Sequence, residues 1–253
     1  MNAFRTELRT LAGAVLFFTR LPLPRWIGVV AADLRCAVTY FPLCGALVGG
    51  FAALVWWLAS LVFPAAAAAG LAVIAGVVLT GAMHEDGWAD VCDGFGGGHT
   101  KERILEIMKD SHVGAYGVIG LVLLLGLKWQ TLAALPGGLV PAVLVAGQTL
   151  SRGMAAALMA TLDYVRPEGP SKARALVVRL GGWRLLFVLA TALVPLALLP
   201  GRAWWGAAAL VVVRVVLARW FRSRISGYTG DCLGAAQQLG ELVFYLVVLG
   251  VVR

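Results

Sequence analysis

Three aspartates, Asp86, Asp90 and Asp93, stand at i, i+4 and i+7 in the stretch HEDGWADVCDGFGGGHTKERILEIMKDSHVGAYG. At 100° per residue they fall within about 60° of one another on a helix. Carboxylates crowded on one stripe repel, and at the edge of an apolar environment a cation relieves them. Hard oxygen ligands suit Mg²⁺ or Mn²⁺, with phosphate oxygens and water completing the shell. Seven of the 13 acidic residues lie between positions 84 and 112. A solvated acidic loop is the plainer alternative. The spacing and the flanking glycines favour a metal site.

Neighbouring residues extend the chemistry. Gly94, Gly96, Gly97 and Gly98 are expected to break the helix after Asp93 and to offer backbone N–H groups to a phosphate. Thr100 is placed to cap a short amphipathic helix, Lys101 to Asp110. His84 precedes the stripe as a candidate general base or hydrogen-bond donor. His84, His99 and His112 lack the i, i+3 or i+4 spacing of a histidine metal site.

A second constellation, GYTGDCLGAAQQLGELVF, places Asp231, Gly234, Gln238 and Glu241 on one helical stripe. Glu241 lies deep in an apolar segment, where its charge needs a proton, a cation or a partner. Arg152, inside another apolar segment, must snorkel, pair or hold an anion. Arg214, flanked by valines, reads as structural or lipid-facing. Arg166, Lys172 and Arg174 lie in DYVRPEGPSKARALVVRL, where they can bind an anionic substrate or simply orient the chain.

The elements that carry these residues are apolar helices. Of 253 residues, 60% are hydrophobic and only 13% charged. Such a composition excludes a disordered chain, a disulfide-rich secreted domain, a coiled coil and an ordinary soluble globule. It leaves an all-α, polytopic transmembrane bundle, read as one integral membrane domain over 1–253 with a catalytic loop at about 84–112. Seven spans are expected, at about 38–63, 65–83, 113–135, 139–161, 185–200, 203–218 and 233–252. An interfacial helix precedes them, ended by Pro22 and Pro24; it lacks the cleavage site of a signal peptide. With the N-terminus in the cytoplasm, 16 of the 21 basic residues fall on the inner side. Lys128, Arg202 and Arg253 fall outside. The net charge of +8 therefore reads as orientation in a lipid bilayer rather than affinity for nucleic acid. Cys36, Cys44, Cys92 and Cys232 form no CxxC and read as free thiols.

Together these segments resemble the cobalamin synthase family, the adenosylcobinamide-GDP ribazoletransferases. FFTRLPLP at 17–24 is similar to the family's N-terminal motif, and HEDGWADVCDGFGGG at 84–98 resembles its core, H-x-D-G-x-x-D-x-x-D-G-x-x-G-G. IMKDSHVGAYG at 107–117, the Ser151–Arg152 pair, YVRPEG at 164–169 and GYTGDCLGA at 227–235 also fit. Glu85 and His112 depart from it: the family often has an apolar residue at the first and an arginine at the second. The resemblance implies Mg²⁺-dependent joining of adenosylcobinamide-GDP to α-ribazole or its 5′-phosphate, with release of GMP, at the cytoplasmic face of the inner membrane. It implies Mg²⁺ on Asp86, Asp90 and Asp93, completed by Asp231 and Glu241. Lys109 and Arg152 would offset phosphate charge beside Asp110, and Gly94, Gly97, Gly98, Arg166 and Lys172 would hold the nucleotide. Two rivals share parts of the pattern: a CDP-alcohol phosphotransferase-like lipid enzyme, whose longer-range DGxxAR signature is absent, and a cation transporter. Neither oligomeric state nor the number of ions is legible.

Overall fold

A membrane-spanning chain must satisfy its backbone internally, and this one does so with helices. The computed structural model describes residues 3–34, 36–165 and 181–252. In chain order the helices are α1 Ala3–Phe18, α2 Ala31–Leu34, α3 Phe41–Ser60, α4 Ala65–Thr80, α5 Met83–Gly97, α6 Lys101–Ile107, α7 Ala115–Ala134, α8 Val140–Met159, α9 Gly182–Leu193, α10 Trp204–Ile225 and α11 Gly230–Val252. Among the described residues β-structure is limited to one isolated bridge, Tyr164 to Tyr228.

The all-α bundle is as expected, but its spans are fewer. Among the described residues five helices are long and apolar enough to cross a membrane, and six if the α4–α5 pair counts as one broken span. The apolar helix at Gly182–Leu198 is shorter. The expected second span ends early because α4 stops at Gly81, which is left-handed at φ 66°, and Ala82 follows at φ 58°. Two successive left-handed residues turn the chain through 91° into α5. The region expected as a catalytic loop is therefore mostly helix, Met83–Gly97 and Lys101–Ile107. Alanine in this conformation costs about 1–2 kcal/mol, so the elbow must be held by its surroundings. The Arg20 N–H donates to the Leu79 carbonyl at 2.8 Å and ties the end of α1 to it.

α8 is the centre of the bundle, with 83% of its apolar window buried. Small residues bring α3 against it, as membrane helices require in the absence of a hydrophobic drive between them. A Cβ on Gly45 would lie 2.3 Å from the Gln148 carbonyl oxygen, and one on Gly49 would lie 2.7 Å from that of Leu144. α11 packs on the opposite side, where Gly147 leaves room for the Tyr245 ring.

The N-terminal helix is held by charge as well as packing. Arg9 pairs with Asp33 at 3.0 Å. Glu7 accepts hydrogen bonds from Tyr40 at 2.7 Å and from Arg184 at 3.1 Å. Arg214, expected to be structural, donates to the Ala157 carbonyl and the Thr161 hydroxyl at the end of α8.

The α3–α8 contact yields a prediction. Gly45→Val forces two backbones apart and should destabilise by about 1–3 kcal/mol, lowering the melting temperature in detergent by roughly 2–10 °C. Gly126→Ala, at a position with nothing within 4 Å of the new carbon, should leave it unchanged or slightly higher.

Candidate active site

Two glycines join the two motif-bearing helices. A Cβ on Gly87 of α5 would lie 2.8 Å from the Asp231 carbonyl oxygen, and one on Gly234 of α11 would lie 3.2 Å from that of His84. Their bare backbones let the starts of α5 and α11 touch. Beside this contact lies a cavity of about 670 Å³, walled by the end of α1, the elbow, α5, α8 and α11. Phe18, His84, Asp86, Arg152, Asp231 and Gln237 line it. His84 is buried, its ring stacked on Phe18 with centroids 6.0 Å apart. The Thr229 hydroxyl donates to Asp231 at 3.3 Å.

A second cavity of about 20 Å³, room for about one water, adjoins the first; Arg152 and His84 line both. It is walled by a buried polar network. Lys128 of α7 pairs with Glu241 at 2.9 Å and donates to Gln238 at 2.6 Å. Glu241 also accepts from Gln148 at 2.9 Å, Gln237 at 2.8 Å and Tyr245 at 2.8 Å. Arg152 donates to the main-chain and side-chain oxygens of Gln148. Gln238 donates to Glu85 at 2.8 Å. Only Arg152 Nε and the second Glu85 carboxylate oxygen are left without a partner in this network.

The stripe of aspartates divides by depth. Asp86 is exposed to the large cavity, while Asp90 and Asp93 are half-buried and do not line it. Asp93 accepts the N–H groups of Gly114 at 2.7 Å and Gly117 at 2.8 Å, capping α7 from a neighbouring helix. Among the described residues no three of His, Cys, Asp and Glu gather as an ion cage. The pair that shares a cavity is Asp86 and Asp231.

Known proteins give this geometry a context. The family described as cobalamin-5-phosphate synthase matches residues 10–249. The chain belongs to the cobalamin-5-phosphate synthase family. It is 47% identical over 250 residues to the adenosylcobinamide-GDP ribazoletransferase of Shewanella frigidimarina (strain NCIMB 400), covering 97% of this chain and 95% of the relative. The enzyme of that name from Shewanella amazonensis (strain ATCC BAA-1098 / SB2B) is 47% identical over 257 residues, with 98% of each chain covered. No solved structure matches.

In this member of the cobalamin-5-phosphate synthase family Glu241, Gly94, Gly97, Gly98, Lys109 and Asp110 do not line the large cavity. Glu241 was expected to take a cation; the ammonium of Lys128 occupies that role. The glycines after Asp93 do not open a phosphate loop, because α5 continues to Gly97. Gly94 instead makes room for Met108, and a Cβ on Gly98 would strike Ile104; Gly97 meets only Ile107, at 3.5 Å. The exposed end of α5 is closed by Arg224, which donates to the carbonyls of Phe95 and Gly98. Thr100 caps α6 through the Arg103 N–H, but the helix ends at Ile107. Lys109 and Asp110 are exposed and do not line the cavity. Asp110 accepts from the His112 backbone and ring, which hold its carboxyl below the usual range. Arg166 and Lys172 lie outside the described residues. The chain leading to them is pinned beside α11, where the Val165 N–H donates to the Tyr228 carbonyl at 3.0 Å.

Sequence reasoning missed Lys128, Gln148 and the elbow. Lys128 was counted with the outward charges but is buried in the bundle, 3% exposed. The available signal was one lysine in a 20-residue apolar helix, which demands a counter-charge. Gln148 gives no such signal, since an isolated glutamine has no unique role.

The pairing predicts a thermodynamic cycle. Lys128→Met and Glu241→Leu should each destabilise by about 3–5 kcal/mol by stranding a buried charge, and the double variant should recover most of that loss. Melting temperatures of the three variants in detergent provide the check.

Proposed function

We propose that this chain joins adenosylcobinamide-GDP to α-ribazole or its 5′-phosphate and releases GMP, using Mg²⁺, at the cytoplasmic face of the inner membrane. The observation that carries this reading is that Asp86 and Asp231, far apart in the chain, share one cavity with Arg152 and His84. The named relatives supply the substrates. The cavity's volume of about 670 Å³ falls in the range of small-molecule sites.

The residues fit Mg²⁺ as a site completed by substrate: one or two carboxylates plus phosphate oxygens and water is its usual mode. Asp86 and Asp231 would hold it, and bound there it supplies neutralisation of phosphate charge. A hydroxyl of the ribazole ribose attacks the phosphorus that bears the aminopropanol arm. The new P–O bond forms as the bond to the GMP phosphate oxygen breaks, and GMP departs with that electron pair. His84, the imidazole that lines the cavity, takes the hydroxyl proton. Arg152 offsets the charge of the transferring group from the cavity floor, where water is scarce and such an interaction is strong. Neither rival reading is favoured by the comparisons, and the buried carboxylate a transporter would use is already paired with Lys128.

Purified protein in detergent should release GMP from adenosylcobinamide-GDP only with α-ribazole and Mg²⁺ both present. Asp86→Asn and Asp231→Asn should each lower that rate on the order of 10² to 10³-fold. Wild-type rates in both folded variants would refute the site.

Orientation follows from the bias of basic residues. A cysteine introduced at exposed His99, in a background lacking the native thiols, should react with a membrane-impermeant maleimide only after the inner membrane is opened. Labelling in intact spheroplasts would reverse the topology. The native Cys232 is fully buried and is unsuited to the test.

A further inference from the structure

The start of α5 is uncapped. The N–H groups of its first turn, Met83, His84 and Glu85, cannot bond within the helix. Ala82, the residue before it, has no side chain to cap them. No other backbone or side-chain acceptor among the described residues takes that place. By contrast, α11 opens on Thr229, whose hydroxyl accepts the Cys232 N–H. The uncapped turn opens on the large cavity, whose wall includes Gly81, Ala82, Met83, His84 and Asp86.

A second observation lies opposite. Arg152 lines the same cavity, is 2% exposed, and keeps Nε without a partner. Its other contacts are to Gln148, a neutral residue, and no carboxylate pairs with it among the described residues. Glu85, the acid of the first turn nearest to Arg152 in the polar network, is turned to Gln238. A fixed guanidinium and the unused N–H donors at the positive end of a 15-residue helix thus line one cavity. Arg20 contributes a further positive charge to this wall, where it lies across Gly81.

We infer that the elbow at 81–85 and Arg152 form a phosphate-binding cradle that seats the diphosphate of the nucleotide substrate. This rests on the transfer reading for the identity of the ligand, though the cradle itself requires only an anion.

Inorganic pyrophosphate, titrated calorimetrically into the full chain in detergent with Mg²⁺, is the probe. Ala82→Asp should set a carboxylate on the cavity wall, since aspartate tolerates the left-handed region. It should weaken pyrophosphate binding about tenfold or more, with an equal or higher melting temperature. Ala82→Asn adds the same bulk without the charge and should weaken it less. Arg152→Met should also lower affinity; if it fails to fold, the Ala82 pair still decides. Gly201→Asp, an added charge away from the cavity with nothing within 4 Å of the new carbon, should bind as the parent does. Parental affinity in Ala82→Asp, or no pyrophosphate binding by a parent that releases GMP, would overturn the cradle and leave the transfer reading standing. The expected binding pattern in a chain that releases no GMP would do the reverse.

Discussion

A charge buried among apolar helices has to be answered by another, and the pair of Lys128 and Glu241 is that constraint in this bundle. Each is almost wholly buried, 3% exposed, and in such surroundings an unpaired ion costs several kcal/mol. The pair therefore decides where α7 and α11 meet. Gln148 joins them to α8, and through Gln148 the same network reaches Arg152, whose guanidinium sits at the boundary of the two cavities. Beneath the candidate site Lys128, Glu241, Gln148 and Gln238 thus spend their chemistry on one another, while Arg152 reaches the large cavity.

Above that network, backbone proximity replaces side-chain bonding. Gly87 and Gly234 let α5 and α11 approach to contact, while Gly45 and Gly49 do the same for α3 and α8. Asp93, half-buried between α5 and α7, fixes the direction of α7 by accepting its first N–H groups. The 91° elbow completes the arrangement. It presents the beginning of α5 to the cavity rather than its side, which a straight continuation of α4 would do.

Much of this was legible in the sequence, for physical reasons that differ by residue. The apolar segments announced a helical bundle because a long hydrophobic run has few other stable environments. Asp86 and Asp231 stood out because carboxylates beside apolar runs need a reason. The spacing of Asp86, Asp90 and Asp93 correctly implied one helical stripe. Spacing carries no information on depth, however, and depth is what separates Asp86 at the cavity from Asp93 at a helix cap. The glycines of HEDGWADVCDGFGGG were ambiguous because a glycine that opens a loop and one that admits a neighbouring side chain look alike. Met108 and Ile104, which those glycines admit, lie on the following helix. The second span was overdrawn because hydropathy does not register a turn made by backbone dihedrals alone. Gln148 was invisible for the opposite reason: its importance lies wholly in the partners that folding brings to it.

The contact between Gly87 and Gly234 has a further consequence for how the molecule is made. Ribosomal synthesis delivers α5 and its aspartates well before α11 emerges, at about 5–20 residues per second. Until then Lys128 lacks Glu241, the carboxylate that answers it in the folded chain. Insertion of α11 supplies Glu241, Asp231 and the glycine contact in a single event. Closure of the candidate site and relief of the buried charge are therefore reached together. A chain that stops before α11 leaves Lys128 without Glu241 and Asp86 without Asp231, so the bundle and the candidate site share one last step.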